Sequence, residues 1–287
     1  RLLPAARLTV PGSSVAQTGG HSDSDSDLWH TWPGRAIRQP SRRDAHYLHL
    51  KRLALTLQAT ASRFLDPTRT YQMLDVGSGR KPYFPIFEPY ASTYLGVDPG
   101  DGEGPDVRAA AEHLPFTDAA VDVVVSTQVL EHVDHPDETV AEWYRVLQPG
   151  GLVFASTHGM YLYHPIPTDH WRWTHTGLRK LFERNGLRVR SIEACERTLS
   201  VLVMLLGIHA ATFADQHGFG WLFRSGLAGL HTVVDRIDGV STSTSTPDTA
   251  LTWGAMPCSY VIVAERPATD SRARDTLPAH AEPTPTP

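Results

Sequence analysis

Two kinds of side chain in this sequence are spaced for chemistry. The first is a pair of carboxylates, each closing a short apolar run: Asp75 in Met73-Leu74-Asp75-Val76-Gly77-Ser78-Gly79, and Asp98 in Tyr94-Leu95-Gly96-Val97-Asp98. Gly77 and Gly79 open a tight turn just after the first acid. Glycine there permits positive φ and lets the backbone approach a ligand with no Cβ in the way. Asp98 follows roughly 20 residues on, where a carboxylate is placed to accept both hydroxyls of a ribose. The second kind is imidazole: seven of the 15 histidines (His113, His132, His135, His158, His164, His170, His175) fall between 113 and 175. Imidazole titrates near pH ~6.5 and suits proton removal at neutral pH.

The elements that must position these groups alternate along the chain. Helical spacing appears over His46–Phe64, where Leu50, Leu53, Leu57 and Ala61 share a face. Strand-like runs follow at Tyr71–Val76, Tyr94–Asp98, Val121–Ser126, Gly151–Thr157, Leu187–Glu193 and Ser259–Ala264, with helical stretches at Asp137–Leu147 and Thr176–Asn185. Such alternation predicts crossover units, hence a mostly parallel sheet with helices on both faces. These sheets bind ligands at the carboxyl ends of their strands, near the point where strand order reverses. The glycine turn, Asp98 and His158 all fall at such ends.

Composition narrows the function classes. Two cysteines among 287 residues exclude a disulfide-stapled scaffold and a cysteine-built zinc site. Net charge is −5, but residues 1–70 carry +5 and the remainder −10. An acidic body argues against a nucleic-acid-coating protein. Residues 1–41 mix Pro, Gly, Ser, Asp and Arg without apolar periodicity and read as a disordered basic leader. The Ser/Thr tract 241–249 reads as a loop, and 267–287 as a disordered Pro/Thr tail. One α/β domain over 42–266 remains. Pro82 stands where a dinucleotide fingerprint needs its third glycine, which disfavours a nicotinamide oxidoreductase.

Several ordered motifs together resemble the class I S-adenosylmethionine-dependent methyltransferases, in the type 11-like branch. They are the glycine turn with Lys81-Pro82-Tyr83, Ala111-Glu112-His113-Leu114-Pro115-Phe116, Gln128-Val129-Leu130-Glu131-His132-Val133, Val146-Leu147-Gln148-Pro149-Gly150-Gly151 and Asp169-His170-Trp171-Arg172-Trp173-Thr174. The resemblance spans about residues 70–195, with a weaker return at 253–266. It implies a Rossmann-like, doubly wound, seven-stranded sheet with a helical insert before the last strand. It implies S-adenosyl-L-methionine as cofactor, with Asp75, Gly77 and Gly79 at its methionine and ribose portion and Asp98 on the ribose hydroxyls. Ala111, Glu112 and His113 would flank the adenine, and Gln128 would touch the methionine end. Ala110 stands where an acid often contacts the adenine amino group, so that contact falls to backbone of Ala111 and Glu112.

The acceptor half carries no general code. His158, ending the fifth of the family's strands, and His170, beside Asp169, are the candidate catalytic bases for a hydroxyl acceptor. His132 fits a structural role in its motif. No metal site is expected, because the spacing of His158, His164 and His170 matches no ligand motif. Trp171 and Trp173 fit either a stacking wall for a sugar or aromatic acceptor, with Arg172 on an acid group, or a packed lid. Thr174 or Thr176 is the expected cap of the next helix. Thr198–Ala214 runs without charge, and Phe219–Val234 is amphipathic, so a helical insert is expected at about 198–237. It fits a pocket roof or dimer face ahead of a peripheral membrane contact through 198–214.

The expectation is a cytoplasmic enzyme, monomer or homodimer, with Cys195 and Cys258 reduced. Its acceptor would be a small molecule or glycan, more readily at oxygen, with no nucleic acid. The alternative is a non-catalytic subunit of the same fold that binds cofactor and scaffolds a partner.

Overall fold

The computed structural model describes residues 25–100, 102, 104–241 and 255–268. Its centre is a six-stranded sheet: β1 (Tyr71–Val76), β2 (Ala91–Val97), β3 (Val121–Thr127), β4 (Leu147–His158), β5 (Arg188–Ala194) and β6 (Ser259–Glu265), in the order β2-β1-β3-β4-β6-β5. β1 pairs in parallel with β2 and β3, and β3 with β4, while β6 runs antiparallel to β4 and β5. The helices are α1 (Asp25–Thr31), α2 (Arg35–Arg38), α3 (Tyr47–Phe64), α4 (Phe84–Phe87), α5 (Pro136–Val146), α6 (His175–Arg184), α7 (Thr198–Gln216) and α8 (Gly220–Ser241).

Each strand feeds two cores. Met73, Val123, Val125, Phe154 and Val263 meet Leu53, Leu57 and Phe87 from α3 and α4 on one face. Leu74, Val124, Val153 and Ile262 meet Val140, Trp143, Leu178 and Phe182 from α5 and α6 on the other. Burial on both faces is why these strands read as continuous apolar runs. Trp143 and Phe182 are wholly buried, each contributing roughly 1.5–3 kcal/mol by the usual worth of burying a large apolar side chain. Pro136 starts α5, and Asp137 and Glu138 occupy its first turn, where carboxylates favour the helix dipole. Thr174 caps α6 by accepting a hydrogen bond from Gly177 N at 3.1 Å.

Three sequence expectations change. Seven strands were expected and six form, because the chain after Asp98 supplies only one parallel bridge, Val97 to Val107. Asp106 N and Val107 N both donate to Gly96 O, so the chain returns after a few residues, too few for a crossover that would support a full edge strand. The leader is not disordered throughout: residues 25–41 form α1, α2 and their connections. The guanidinium of Arg38 orders them, donating to the carbonyls of Trp29, Trp32, Pro33 and Pro82, while Trp32 Nε1 donates to Lys81 O at 2.9 Å. The domain therefore begins well before residue 42. Residues 1–24 of the leader, 242–249 of the Ser/Thr tract and 269–287 of the tail lie outside the described residues.

The insert stands where expected. α7 and α8 pack on α3 through small clusters: Ala211 and Leu227 against Ala45, and Val234 against Tyr47 and Leu48. Asp235 of α8 accepts from Tyr47 Oη at 2.9 Å and pairs with Arg52 and Lys51. Among the described residues α7 is the one helix long and apolar enough to cross a membrane by length and composition, and 33% of that window is buried inside the fold.

Candidate functional site

Strand order reverses between β1 and β3, because β1 connects outward to β2 and the chain returns to place β3 on its other side. The crevice outside the carboxyl ends of these two strands is where such sheets hold ligands. The glycine turn opens there. Gly77 N and Ser78 N donate to Val97 O at 2.8 and 3.1 Å, fastening the turn to the end of β2. Gly77 has φ +71, and a Cβ built on it would meet Val129 Cγ2 at 2.3 Å. Gly79 has φ +46, and its Cβ would meet nothing within 4 Å. The first glycine thus allows the turn to close against β3, and the second leaves backbone bare toward open space.

Asp98 faces this turn. Its Oδ2 accepts from Gly79 N at 3.0 Å and its Oδ1 from Gly100 N at 2.8 Å. A carboxylate offers about four acceptor positions, so both oxygens keep one for a ligand. A cavity of about 370 Å³ lies here, lined by Gly79, Arg80, Asp98, Gly100, Gly102 and Pro105. Lys81, two residues after Gly79, also has positive φ, +54. Its Nζ pairs with Asp106 Oδ2 at 2.5 Å, and the same oxygen accepts from Gly96 N at 2.7 Å. This tie holds the loop after Asp98 and directs residues 108–113, including Ala111, Glu112 and His113, past the carboxyl edge. Ala111 is buried, Glu112 half-buried and His113 exposed.

Asp75 lies deeper. It is buried, and burial pushes its carboxyl up to about 7 even though Tyr94 Oη donates to Oδ2 at 2.9 Å. Its Oδ1 has no hydrogen-bond partner. Gln128 directly follows β3 at φ +57, an uncommon conformation for a side-chain-bearing residue. Its Nε2 donates to Ser156 Oγ at 2.9 Å and its Oε1 is buried without a donor. Two acceptor oxygens at the ends of adjacent strands therefore await a donor, which suits an ammonium group.

The histidines form the other half. His158 ends β4 and is buried, its ring stacked on Tyr161 at 4.2 Å. Burial pushes its imidazole down to about 2, with His49, His164, Arg172 and His132 acting in the same direction, so the ring is neutral. His158 Nε2 lies 3.0 Å from His164 Nε2 and 3.3 Å from Glu131 Oε1. Burial pushes Glu131 up to about 7. His170 is not brought to this cluster: it is exposed, with Nε2 3.2 Å from Asp134 Oδ1. Its backbone N donates to Glu131 O at 2.8 Å, so its place is to hold the loop. His132 also holds the loop, through Nδ1 to Thr168 O and through its carbonyl, which accepts from Thr168 Oγ1.

Arg172 is committed internally. It makes two hydrogen bonds to Asp169, with Nη1–Oδ1 at 2.5 Å and Nη2–Oδ2 at 2.7 Å, and donates to the carbonyls of Tyr161, Leu162 and Trp171. Trp171 Nε1 donates to Val133 O at 2.8 Å, and Trp171 stacks on Trp173 at 5.8 Å. Arg172 is thus tied within the loop, while Trp171 keeps 38% of its surface exposed. α7 closes over the loop: Tyr161 packs on the cluster of Val201, Met204 and Cys258.

Sequence reasoning missed three contributors. Glu131 was read as part of a motif rather than as a neighbour of His158. His49 of α3 donates or accepts at 2.8 Å with Glu196 Oε1, both buried, and its ring lies 5.8 Å from that of His158. The Trp32 and Arg38 contacts to Lys81 and Pro82 came from a segment read as leader. Only long-range contacts reveal these.

The methyltransferase-domain family model matches residues 74–155, from the glycine turn through β4. The matched segment is similar to a methyltransferase domain. A methyltransferase of Mycolicibacterium gilvum (strain PYR-GCK) is 32% identical over 139 residues, covering 43% of this chain and 54% of that protein. The chain thus spans about half the length of that curated relative, and less of others. Among solved structures, a candidate sarcosine dimethylglycine methyltransferase from Galdieria sulphuraria covers 86% of this chain and 99% of its own at TM-score 0.51 and 12% identity, a likeness of fold. An S-adenosylmethionine-dependent methyltransferase from Mesorhizobium loti covers 76% and 100% at TM-score 0.46 and 16% identity. The matched residues 74–155 hold the glycine turn, Asp98, Gln128 and Glu131, whereas His164 and Arg172 lie beyond them.

Proposed function

We infer that this chain moves a methyl group from S-adenosyl-L-methionine to an oxygen of a small-molecule or glycan-type acceptor. The observation that carries the reading is the glycine turn closed on Asp98 at the reversal of strand order, with bare backbone at Gly79. When bound, the cofactor supplies an electrophilic sulfonium methyl, so the protein need provide no covalent nucleophile. Asp98 holds the ribose hydroxyls, and the turn at Gly77 and Gly79 leaves room for the cofactor. Ala111, Glu112 and His113 flank the adenine. The unpaired oxygens of Asp75 and Gln128 receive the ammonium of the methionine end.

Methylating a hydroxyl releases its proton, and the chain's work is to align the acceptor oxygen and accept that proton. Glu131, raised to about 7, is the group we assign to take that proton, while His158, pushed down to about 2 by burial, orients the acceptor as a neutral ring rather than serving as the base. Residues 159–174 and α7 keep His158 and Glu131 buried, while the lid itself is largely exposed. Two buried, free cysteines fit a reducing compartment, and the cytoplasm is the location we assign.

Calorimetric titration with S-adenosylhomocysteine tests the cofactor half. Micromolar binding that Asp98→Ala weakens is expected, and no binding at millimolar ligand would sink the reading. A radiolabelled-cofactor screen across hydroxylated acceptors tests the rest.

One observation favours the second reading, a non-catalytic scaffold. The outer face of α7 and α8 exposes Leu206 and Trp221 at 71% and 74%, together with Leu202, Phe213 and Leu222. A partner, a second copy or a membrane surface would cover such a face. Cofactor binding with no transfer to any acceptor, together with capture of a partner through this face, would select it.

A further inference from the structure

The ends of β3 and β4, with the lid loop, bring three ligand atoms to one point. Glu131 Oε1, His158 Nε2 and His164 Nε2 all lie within 4.8 Å of one another. His158 Nε2 is 3.0 Å from His164 Nε2 and 3.3 Å from Glu131 Oε1. Donor atoms held at ~2.0–2.1 Å around a tetrahedral cation are about 3.3 Å apart. Two of the three separations are those of a coordination sphere, and the third is within 4.8 Å.

The hydrogen bonding leaves this cluster incomplete. Glu131 is fully buried; Thr157 Oγ1 donates to its Oε2 at 2.9 Å, yet Oε1 has no hydrogen-bond partner among the described residues. His158 approaches that oxygen outside hydrogen-bond geometry. The two facing Nε2 atoms can be joined by a single proton, since a neutral imidazole has one donor and one acceptor nitrogen. The other nitrogen of His158 is buried and unpartnered.

A neighbouring triplet provides the contrast. His49, Glu196 and Cys258 satisfy the same distance test. There, however, Glu196 Oε1 meets His49 Nδ1 at 2.8 Å, and Oε2 accepts from Ser259 N at 2.9 Å. That carboxylate is complete without a cation.

We propose that Glu131, His158 and His164 bind one divalent transition-metal ion of the imidazole-preferring kind, Zn(II) rather than Mg(II) or Ca(II), with a further position open to water or an acceptor oxygen. Two imidazoles and one carboxylate are a donor set for such ions. His158 and Glu131 are sealed in the core, whereas His164 is half-buried in the lid, so the open position lies on the lid side. Thr157, holding Oε2, orients the carboxylate as outer-shell partners of metal ligands do. Sequence spacing hid the site because Glu131 comes from a different strand end and His170 points elsewhere.

On the methyl-transfer reading, on which this step rests, an acceptor hydroxyl in the open position loses its proton more readily to water because the cation stabilises the alkoxide. The methyl carbon then bonds to that oxygen as its bond to sulfur breaks. With the cation bound, Glu131 and His158 act as its ligands in place of the proton-accepting role, and His158 need carry no buried charge.

The test uses the full chain, tag-free and stripped of metal, titrated with Co(II), whose tetrahedral complexes absorb visible light. One equivalent per chain with a visible band, displaced by Zn(II), is expected. His164→Ala should weaken Co(II) binding at least about tenfold, since even outer-shell losses cost 10–100-fold, while His49→Ala stays within about twofold. If His164→Ala does not fold by circular dichroism, His164→Gln takes its place under the same criterion. No Co(II) bound by the parent chain, or binding lost in His49→Ala and kept in His164→Ala, overturns the site. Parallel titration with S-adenosylhomocysteine separates the two ideas: cofactor binding without Co(II) binding sinks the metal site alone, and the converse sinks methyl transfer alone.

Discussion

The two halves of the crevice are built by different means. The half at β1 and β2 is made of backbone: Gly77, Ser78 and Gly79 donate N–H groups to the end of β2 or to Asp98, and its shape follows from positive φ at Gly77, Gly79 and Lys81. The half at β3 and β4 is made of side chains: Glu131, His158 and His164 meet with His49 from α3 behind them. A backbone site tolerates change in its surroundings but not in its glycines. A side-chain site depends on every element that carries a member. The contrast suits a half that binds an invariant ligand and a half that selects an acceptor.

The sharpest way to break the contrast is at the first glycine. Gly77→Ala combines φ +71 with a 2.3 Å approach to Val129, and about 2–4 kcal/mol of stability should be lost in urea unfolding, together with binding of S-adenosylhomocysteine. Gly79→Ala, with open space around its Cβ, should cost only about 1 kcal/mol, the penalty of φ alone. Equal losses would mean the turn is not closed by Val129.

Asp75 gives the next effect, through pH. Burial raises its carboxyl to about 7, opposed by Tyr94 and Lys81 and aided by Asp98 and Asp106. A carboxyl raised on folding is protonated in the native state while the unfolded chain has released its proton, so stability is full below pH ~4 and is lost as pH rises through 7. Asp75→Asn keeps an acceptor for Tyr94 and removes the loss. The variant should gain on the order of 2–4 kcal/mol over the parent at pH 8 and little at pH 4, read from urea midpoints. Parallel curves would place the proton elsewhere.

Asp98→Ala should weaken S-adenosylhomocysteine by about 2–3 kcal/mol, roughly 30–150-fold, as two charge-assisted hydrogen bonds are lost. Arg172→Ala frees the lid held to Asp169 and three carbonyls. Stability should fall by about 1–2 kcal/mol and acceptor turnover with it, while cofactor affinity stays within about twofold. Affinity lost along with turnover would show that the halves are not separable. His170→Ala is the smallest change. An exposed ring facing Asp134 should cost under about 0.5 kcal/mol, and turnover should hold within about threefold. A drop of 10²-fold or more, the usual worth of a general base, would return His170 to the chemistry.

The sequence by itself determined the strands, the two-sided burial and the backbone half of the site. Its signals are local: β-branched runs such as Val121-Asp122-Val123-Val124-Val125, glycines one residue apart, and an acid closing each of two strands. The insert was legible too, as a charge-free run from Thr198 to Ala214. Tertiary structure decided the rest. Residues 25–41 order because Arg38 finds carbonyls as far away as Pro82, a partner that no composition count of the leader reveals. Among the described residues no seventh strand forms, because Asp106 ties Gly96 and Lys81 too soon after Asp98. Of the two candidate bases, the fold buried His158 and turned His170 outward. Glu131 joined His158 because the register sets Thr127 beside Ser156, so the residues that follow on both strands converge. Spacing along the chain fixes what neighbours do, but the meeting of side chains from separate strand ends is set by register and by what the packed core leaves unsatisfied.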